Sequence, residues 1–357
     1  MKDLFKKMDN EMKKNLNELI DTKEWNIYRG KFVNAVESEC NNYFLAKTLT
    51  TNSGSSAIEL CLRTLGIGPG DEVIVPSFTF VATAQAVLLV GATPVLCETD
   101  KSTFNLSAEN VEKKITSKTK AVIFVHLFGN PTGIDSIKQV CSKKSVYLVE
   151  DCAQGFGAEL NGTKAGTFGD CGAFSFNACK HISSGDGGLF ITNNKDLFKI
   201  AKGIRHAGLL EHNGIYTSHL IGGKNLMTEF QAAVLLPQLK NINQIMSNRI
   251  KNGKKIFDCL LKDGITVQKY DPKAKHVFQR VVFLARNELD ANKLIDNNKF
   301  LEKVYPLALS EEPIIKKMGK VDSLTREKGL DFWRRHVSFT FLPFIDYKEF
   351  TDKFELK

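Results

Sequence analysis

The stretch "SGSSAIELCLRTLGIGPGDEVIVPSFTFVATAQAVLLVGATPVLCE" (residues 53–98) decides the fold, because helical and strand-like patterns alternate within it. "SSAIELCLRTLGI" has helical spacing of apolar residues and ends at a glycine, whereas "DEVIVP" is a short apolar run stopped by proline. "VATAQAVLLVG" and "TPVLCE" repeat this order of helix and strand. Apolar strands that alternate with helices form a parallel sheet covered on both faces. The stretch therefore predicts an α/β fold.

The same pattern extends on both sides of this stretch and divides the chain into three parts. "KAVIFVH" and "SVYLVED" are further strand patterns, and "QAAVLLPQL" is a helix. We expect a helical N-terminal arm at residues 1–45 and a large domain with a mostly parallel central sheet at residues 46–245. Residues 246–357 are lysine-rich, with strand-like runs at "RVVFLA" and "HVSFTFLPF", and predict a smaller C-terminal α+β domain.

Composition excludes several classes of protein. No apolar run among the 357 residues approaches a membrane span, and "MKDLFKKMDNEMKK" lacks the apolar centre of a signal peptide. The eight cysteines form no CxxC pair, which argues against zinc and a disulfide framework and favours the cytoplasm. The net charge of +9 is spread along the chain, so we expect a solvated surface and no nucleic-acid partner. A weaker alternative is the steering of anionic substrates.

Ligands of open parallel sheets lie beyond the carboxyl ends of the strands, so polar residues at those ends are the candidates for a site. Ser53, Gly54, Ser55 and Ser56 lead directly into a helix, where free N–H groups and small side chains favour a phosphate. The alternative for this segment is an ordinary serine N-cap. Asp151 ends a buried strand and can pair with a cationic ring nitrogen or a metal, or can form a turn. No second cluster of ligands accompanies it, so a metal is the poorer choice.

The stretch "FSFNACKHISSGDGGLFIT" (residues 174–192) places a lysine, Lys180, between two strand patterns. A partly desolvated lysine in such a place is a candidate imine-forming nucleophile, although a lone lysine is more often a surface residue. Ser175 precedes it by five residues, and Phe80 after another strand supplies a flat face or is a core residue. A phosphate cradle, a buried acid and an amine together fit pyridoxal phosphate, so this cofactor is expected.

These residues lie in motifs through which the sequence resembles the DegT/StrS family of pyridoxal-phosphate sugar aminotransferases, which have the fold type I of aspartate aminotransferase. The resemblance covers roughly residues 25–239 and includes "KAVIFVHLFGNPTGID", "VEDCAQGFGAELNGTKAGTFGDCGAFSFNACKHISSGDGG" and "MTEFQAA". It implies that Lys180 forms the internal aldimine and that Asp151 pairs with the pyridine nitrogen. It also implies cofactor contacts by Gln154 near the ring oxygen, by Phe80 on the ring, and by Ser175 and the backbone of Ser55 and Ser56 on the phosphate.

The chain departs from the family pattern in two segments. Family members carry an Asn-x-Arg/Lys-Met element before the "TEFQAA" helix, whose Asn reaches the phosphate of the partner subunit. Here Lys224 falls at that position, Asn225 follows it, and Leu226 replaces the basic residue. We still expect a homodimer with shared active sites, with Asn225 or Lys224 as the crossing residue. In "VYPLALSEEP", Ala308 and Ser310 replace a proline and a histidine that lie near the substrate in the family.

The resemblance implies an aminotransferase that moves an amino group from L-glutamate or L-glutamine to a keto sugar, most often nucleotide-linked, in amino-sugar biosynthesis. A keto sugar phosphate or a cyclitol ketone is the alternative acceptor. A second alternative is a sugar dehydratase, but such relatives replace the lysine with histidine, and residue 180 is Lys. A third is a sensor that binds pyridoxal phosphate without turnover, which the retained Lys180, Asp151 and Gln154 argue against.

Overall fold

The computed structural model describes residues 2–26, 30–212, 215–262 and 264–339, and its helices and strands alternate from residue 47 to residue 151. The α-helices are α1 (Lys2–Thr22), α2 (Lys31–Phe44), α3 (Gly54–Thr64), α4 (Val81–Leu89), α5 (Ala108–Lys114), α6 (Ile134–Lys144), α7 (Lys195–Arg205), α8 (Glu229–Lys240), α9 (Ile242–Lys262), α10 (Glu288–Asn297), α11 (Pro313–Met318) and α12 (Ser323–Arg335).

The strands form four sheets. They are β1 (Lys47–Thr51), β2 (Glu72–Pro76), β3 (Thr93–Cys97), β4 (Thr119–Val125), β5 (Tyr147–Asp151), β6 (Glu159–Leu160), β7 (Thr163–Lys164), β8 (Cys171–Ser175), β9 (Gly188–Thr192), β10 (Leu209–His212), β11 (Ile215–Ser218), β12 (Thr266–Val267), β13 (Ala274–Lys275), β14 (Val282–Leu284), β15 (Leu301–Glu302) and β16 (His336–Phe339). Residues 340–344 of the predicted strand "HVSFTFLPF" lie outside the described residues.

The central sheet has seven strands in the order β1-β9-β8-β5-β4-β2-β3, and the predicted α/β class is confirmed. The pairs from β8 to β3 are all parallel, whereas β9 is antiparallel to both β8 and β1. The β8–β9 connection, residues 176–187, contains no helix, so β9 returns beside β8 in the opposite direction. Lys180 lies within this connection.

Helices cover both faces of the sheet, as a buried parallel sheet requires. In β2, Val73 and Val75 pack into the hydrophobic cluster under α3, α4 and α7, while Ile74 packs into the cluster under α5 and α6. The arm helices α1 and α2 join α8 in a further cluster over the other part of the sheet. Every residue of β2 is buried, which explains the apolar run at residues 73–76.

The C-terminal part of the described chain forms a four-stranded antiparallel sheet, β12-β14-β16-β15, with its own hydrophobic cluster. The predicted domain boundary at residues 245/246 falls inside α9. Ile245 and Met246 pack with the arm and α8, whereas Ile256 and Leu260 pack with the C-terminal sheet. Helix α9 therefore contributes to both hydrophobic clusters, and the division into domains stays a prediction. Among the described residues, no helix has both the length and the apolarity to cross a membrane.

Glu150 anchors the end of β5 from beneath the sheet. Its Oε1 accepts hydrogen bonds from the N–H groups of Phe168 at 2.7 Å and Gly169 at 2.8 Å. Its Oε2 accepts from the N–H of Gly166 at 2.8 Å and lies 2.7 Å from His126 Nε2. Because these four contacts occupy the carboxylate oxygens, Glu150 acts as a structural clamp.

We expect Glu150→Ala to lower the free energy of unfolding by about 3 kcal/mol, because one buried and two partly buried N–H groups lose their acceptor. Urea unfolding followed by circular dichroism measures this loss. The matched control is Glu109→Ala, which removes an exposed carboxylate paired with Lys113 and should leave the unfolding midpoint unchanged. Equal midpoints for the two variants would contradict the clamp.

Candidate active site

A cavity of about 290 Å³ lies at the carboxyl ends of β5 and β8, beside the N-termini of α3 and α4. Its wall contains seven of the residues predicted from the sequence: Gly54, Ser55, Phe80, Asp151, Gln154, Ser175 and Lys180. Two predicted residues, Ser56 and Asn225, do not line it. The structure therefore brings together an acid, an amine and a glycine-containing helix N-terminus that are up to 126 residues apart in sequence.

The N-terminus of α3 forms one end of the cavity. Ser53 caps this helix, and its Oγ accepts the N–H of Ser56 at 3.1 Å, so this N–H is already used within the chain. A side chain at Gly54 would bring its Cβ to 2.6 Å from the Cβ of Ser175. The missing Cβ therefore lets Gly54 pack closely against Ser175, and this helix N-terminus with its small residues suits a phosphate.

Asp151 lies at the closed end of the cavity and is only 4% exposed. Its Oδ2 accepts from the hydroxyl of Thr83 at 2.8 Å, and its Oδ1 accepts from the N–H of Ala153 at 3.0 Å. Burial raises the pKa of Asp151, and the two hydrogen bonds and the charge of Lys180 oppose that rise. No described residue forms an ion pair with Asp151, although the charge of Lys180 acts on this buried carboxylate across the cavity.

Lys180 follows β8 and its ammonium group faces the same cavity. Its backbone N–H donates to Asn177 at 2.9 Å, which fixes the turn, but Nζ has no hydrogen bond or ion pair with any described residue. Burial lowers the pKa of Lys180, and the nearby Arg280 acts in the same direction, while Asp151 opposes it. The lowered pKa makes a neutral, nucleophilic amine more accessible near neutral pH.

Gln154 and Phe80 lie on the remaining walls. The amide oxygen of Gln154 accepts the N–H of Phe128 at 2.7 Å, and its Nε2 donates to the hydroxyl of Tyr305 at 3.0 Å. Phe80 immediately precedes α4, and its ring is half exposed at the cavity, 6.2 Å from the ring of Tyr305. An exposed phenylalanine beside a cavity is a surface on which a flat ring can stack.

The C-terminal part of the chain forms one wall of the cavity, and none of the residues in this wall was predicted from the sequence. Gln279, Arg280 and Tyr305 line the cavity there. Tyr305 belongs to the "VYPLALSEEP" segment, whose likeness to a substrate-proximal motif was the one available signal. The altered residues of that segment, Ala308 and Ser310, are buried and do not line the cavity.

Asn225 and Lys224, in the segment before α8, do not line this cavity. Asn225 donates its backbone N–H to Arg205 at 3.2 Å and accepts from the N–H of Asn52 at 3.2 Å. Lys224 is exposed and forms a β-bridge with His206. Neither residue contributes to the cavity of its own chain, and their assignment to a partner's site stays a prediction.

The residues present fit pyridoxal phosphate. The carboxylate without an ion pair matches a protonated ring nitrogen, and the amine without a partner matches the aldehyde. The N-terminus of α3 matches the phosphate, because Gly54, Ser55 and Ser175 line the cavity there and a larger residue at position 54 would displace Ser175.

Comparison with known proteins agrees with this geometry. A sequence model of the DegT/DnrJ/EryC1/StrS aminotransferase family matches residues 6–345. The chain is 31% identical over 321 residues to GDP-perosamine synthase of Escherichia coli O157:H7, a match that covers 86% of this chain and 87% of that protein. It is 34% identical over 284 residues to L-glutamine:2-deoxy-scyllo-inosose aminotransferase of Streptomyces kanamyceticus, covering 76% of this chain and 66% of that one.

The fold is also shared with solved structures. DesV of S. venezuelae superposes with a TM-score of 0.88 at 26% identity, and the alignment covers 99% of this chain and 98% of the other. The fold type I expected from the sequence is therefore confirmed.

We expect Gly54→Ala to weaken the binding of pyridoxal phosphate by roughly tenfold or more, since the new Cβ displaces Ser175 from the phosphate end of the cavity. Titration of the apoenzyme with the cofactor, followed by absorbance, measures the dissociation constant. Gly68→Ala is the matched control, because a Cβ there has no atom closer than 3.7 Å. An unchanged dissociation constant for Gly54→Ala would show that the phosphate does not bind at this end of the cavity.

Proposed function

The chain belongs to the DegT/DnrJ/EryC1/StrS aminotransferase family, and on that premise we propose that it transfers an amino group from L-glutamate or L-glutamine to a nucleotide-linked keto sugar in amino-sugar biosynthesis. The observation that carries this proposal is the juxtaposition of Lys180 and Asp151 in one cavity, each without a charged hydrogen-bond partner in the described chain. Pyridoxal phosphate is the cofactor of this aminotransferase.

When bound, the cofactor supplies an electron sink that lets a proton leave the carbon bearing the amino group. Asp151 serves this chemistry by holding a negative charge in a buried position, where its field is weakly screened. The hydroxyl of Thr83 and the N–H of Ala153 fix both oxygens of the carboxylate, so it needs no rearrangement during the reaction.

Lys180 is the chain's own base for the proton transfer. Its lowered pKa favours the neutral amine, which would accept the proton that leaves the carbon bearing the amino group and hold it at Nζ. The hydrogen bond between the N–H of Lys180 and the carbonyl of Asn177 holds the backbone while Nζ moves. A histidine at this position, as in the dehydratase alternative, would lack the primary amine that this role requires.

Two relatives support different acceptors. GDP-perosamine, in the name of the first relative, is a GDP-linked sugar. 2-Deoxy-scyllo-inosose, in the name of the second, is a cyclitol ketone. The net charge of +9 favours an acceptor that carries phosphate. The nucleotide-linked keto sugar is therefore our choice, and the cyclitol ketone and the keto sugar phosphate are the alternatives.

The test follows the acceptor half-reaction alone. The enzyme is first converted to its amine-carrying form with L-glutamate, and the excess donor is removed. A nucleotide-linked keto sugar, a keto sugar phosphate and an uncharged cyclitol ketone are then compared at two ionic strengths. We expect the nucleotide-linked sugar to react at the lowest concentration, with an apparent affinity that weakens as salt rises, because exposed charge contacts are screened. A reaction with the uncharged ketone alone, independent of salt, would overturn the choice of acceptor.

We further propose that the protein acts in the cytoplasm as a homodimer in which each active site takes a residue from the partner. Asn225 and Lys224 precede α8 and do not line the cavity of their own chain, which is consistent with a contact to a second copy. The expected contact is with the cofactor phosphate of that copy.

Subunit complementation tests the shared site. Lys180→Ala and Asn225→Ala should each be inactive, but mixed and allowed to exchange subunits they should recover about a quarter of the wild-type activity. Half of the randomly formed dimers then hold one intact site. The control mixture of Lys180→Ala and Asp151→Asn should recover nothing, since both residues belong to the cavity of one chain. If Asn225→Ala alone is active, the mixture is repeated with Lys224→Ala in its place. If the variant used is inactive alone and the mixture recovers no activity, the site is not shared between subunits.

A further inference from the structure

Arg280 is half engaged at the wall of the cavity. Its Nη1 pairs with the carboxylate of Glu302 and donates to the hydroxyl of Ser338 at 3.3 Å. No described residue accepts a hydrogen bond from Nε or Nη2 of Arg280. One edge of the guanidinium is therefore fixed by the C-terminal sheet, and the remaining donors are available to a ligand.

Two neighbouring polar groups are also incompletely satisfied. The side chain of Gln279 is 2% exposed, and its Nε2 donates to the carbonyl of Cys179 at 3.2 Å. Its Oε1 is buried and has no hydrogen-bond partner among the described residues. The hydroxyl of Tyr305 accepts from Gln154, so its own proton remains available to donate. A buried acceptor left without a donor is costly, which indicates that a bound molecule completes it.

These groups lie close to the reacting amine. All of them line the same cavity as Lys180, and the charge of Arg280 acts on Lys180 and on Tyr305. The wall thus offers positively charged and hydroxyl donors beside one unsatisfied acceptor. An α-amino acid has the complementary pattern, since its carboxylate accepts hydrogen bonds and its nitrogen donates them.

We propose that Arg280 binds the α-carboxylate of the amino acid donor, with Tyr305 donating to the same carboxylate and Gln279 Oε1 accepting from the donor's nitrogen. This inference rests on the aminotransferase function proposed above. The α-carboxylate is bonded to the carbon that carries the amino group, so it must lie near Lys180. The γ-carboxylate of glutamate and the phosphate of an acceptor are several bonds farther from the reacting carbon. A guanidinium with free parallel donors binds a carboxylate in two-point geometry.

The experiment separates the two half-reactions in the holoenzyme of Arg280→Met. We expect the apparent dissociation constant for L-glutamate to rise roughly 10- to 100-fold, because a charge-assisted hydrogen-bonded pair is lost. The acceptor half-reaction, started from the amine-carrying form, should change by less than about threefold. Arg280→Lys should recover part of the affinity, since it restores the charge without the fork.

Donor analogues identify which carboxylate is bound. L-isoglutamine lacks the α-carboxylate charge, and L-glutamine lacks the γ-carboxylate charge. The wild type should discriminate against L-isoglutamine, and Arg280→Met should lose that discrimination while its preference between L-glutamate and L-glutamine stays unchanged. Equilibrium binding of α-methyl-L-glutamate, which lacks the proton to be removed, provides a readout independent of turnover.

Two controls separate ligand binding from structural damage. Arg286→Met removes an arginine whose side chain is 95% exposed and should leave both half-reactions unchanged. Glu302→Gln removes the ion pair but keeps Arg280 and should retain most of the affinity for L-glutamate.

The outcomes distinguish this inference from the proposed function. If the wild type performs neither half-reaction, the function itself is wrong. If the wild type performs both and Arg280→Met weakens only the acceptor, then Arg280 binds the acceptor's anion and the donor assignment is overturned. An unchanged affinity for both substrates in Arg280→Met would exclude Arg280 from substrate binding altogether.

Discussion

The carboxyl end of β5 is the constraint on which the site depends, because two adjacent acids there have opposite roles. Successive side chains of a strand point to opposite faces of the sheet. Glu150 is held on one face by three backbone N–H groups and His126, and this anchoring fixes the strand end from which Asp151 projects toward the cavity. Contacts within the chain occupy both carboxylate oxygens of Glu150, whereas the charge of Asp151 is available to a ligand in the cavity.

Asp151 and Lys180 form no ion pair within the cavity, and this suits the binding of a cofactor. Burial raises the pKa of Asp151 and lowers the pKa of Lys180, so burial disfavours the charged form of both groups. In the proposed function, a protonated ring nitrogen paired with Asp151 and an aldehyde bound by Lys180 would remove both penalties. Burial of these two groups costs stability, and pairing with pyridoxal phosphate would offset that cost.

Local patterns in the sequence predicted the parts of the molecule that depend on neighbouring residues. The apolar run of β2, the glycine and serines before α3 and the lysine between β8 and β9 all have local signals, and the structure has each of them at the cavity or in the sheet. The reversed direction of β9 was not specified, because pairing of distant strands leaves no local pattern. Ser56 was assigned to the phosphate, but its N–H is used by the Ser53 cap, a choice that only the geometry of the helix end reveals. Arg280 was missed because its place in the cavity depends on how the C-terminal sheet packs against the central sheet. Such a contact between distant segments leaves no local pattern either.

Helix α9 connects the large sheet with the C-terminal sheet. Its first turns pack with the arm and α8, and its buried Arg249 reaches the C-terminal part, where Nε and Nη2 donate to the carbonyls of Phe278 and Gln279 at 3.1 and 2.7 Å. Arg249 therefore fixes the backbone from which the side chains of Gln279 and Arg280 enter the cavity. The residues predicted to bind the cofactor lie at the large sheet and its helices, whereas these two residues lie on a separately packed segment. Substitutions at Gln279 and Arg280 can consequently change substrate preference while Asp151, Lys180 and the cradle at Gly54 stay in place.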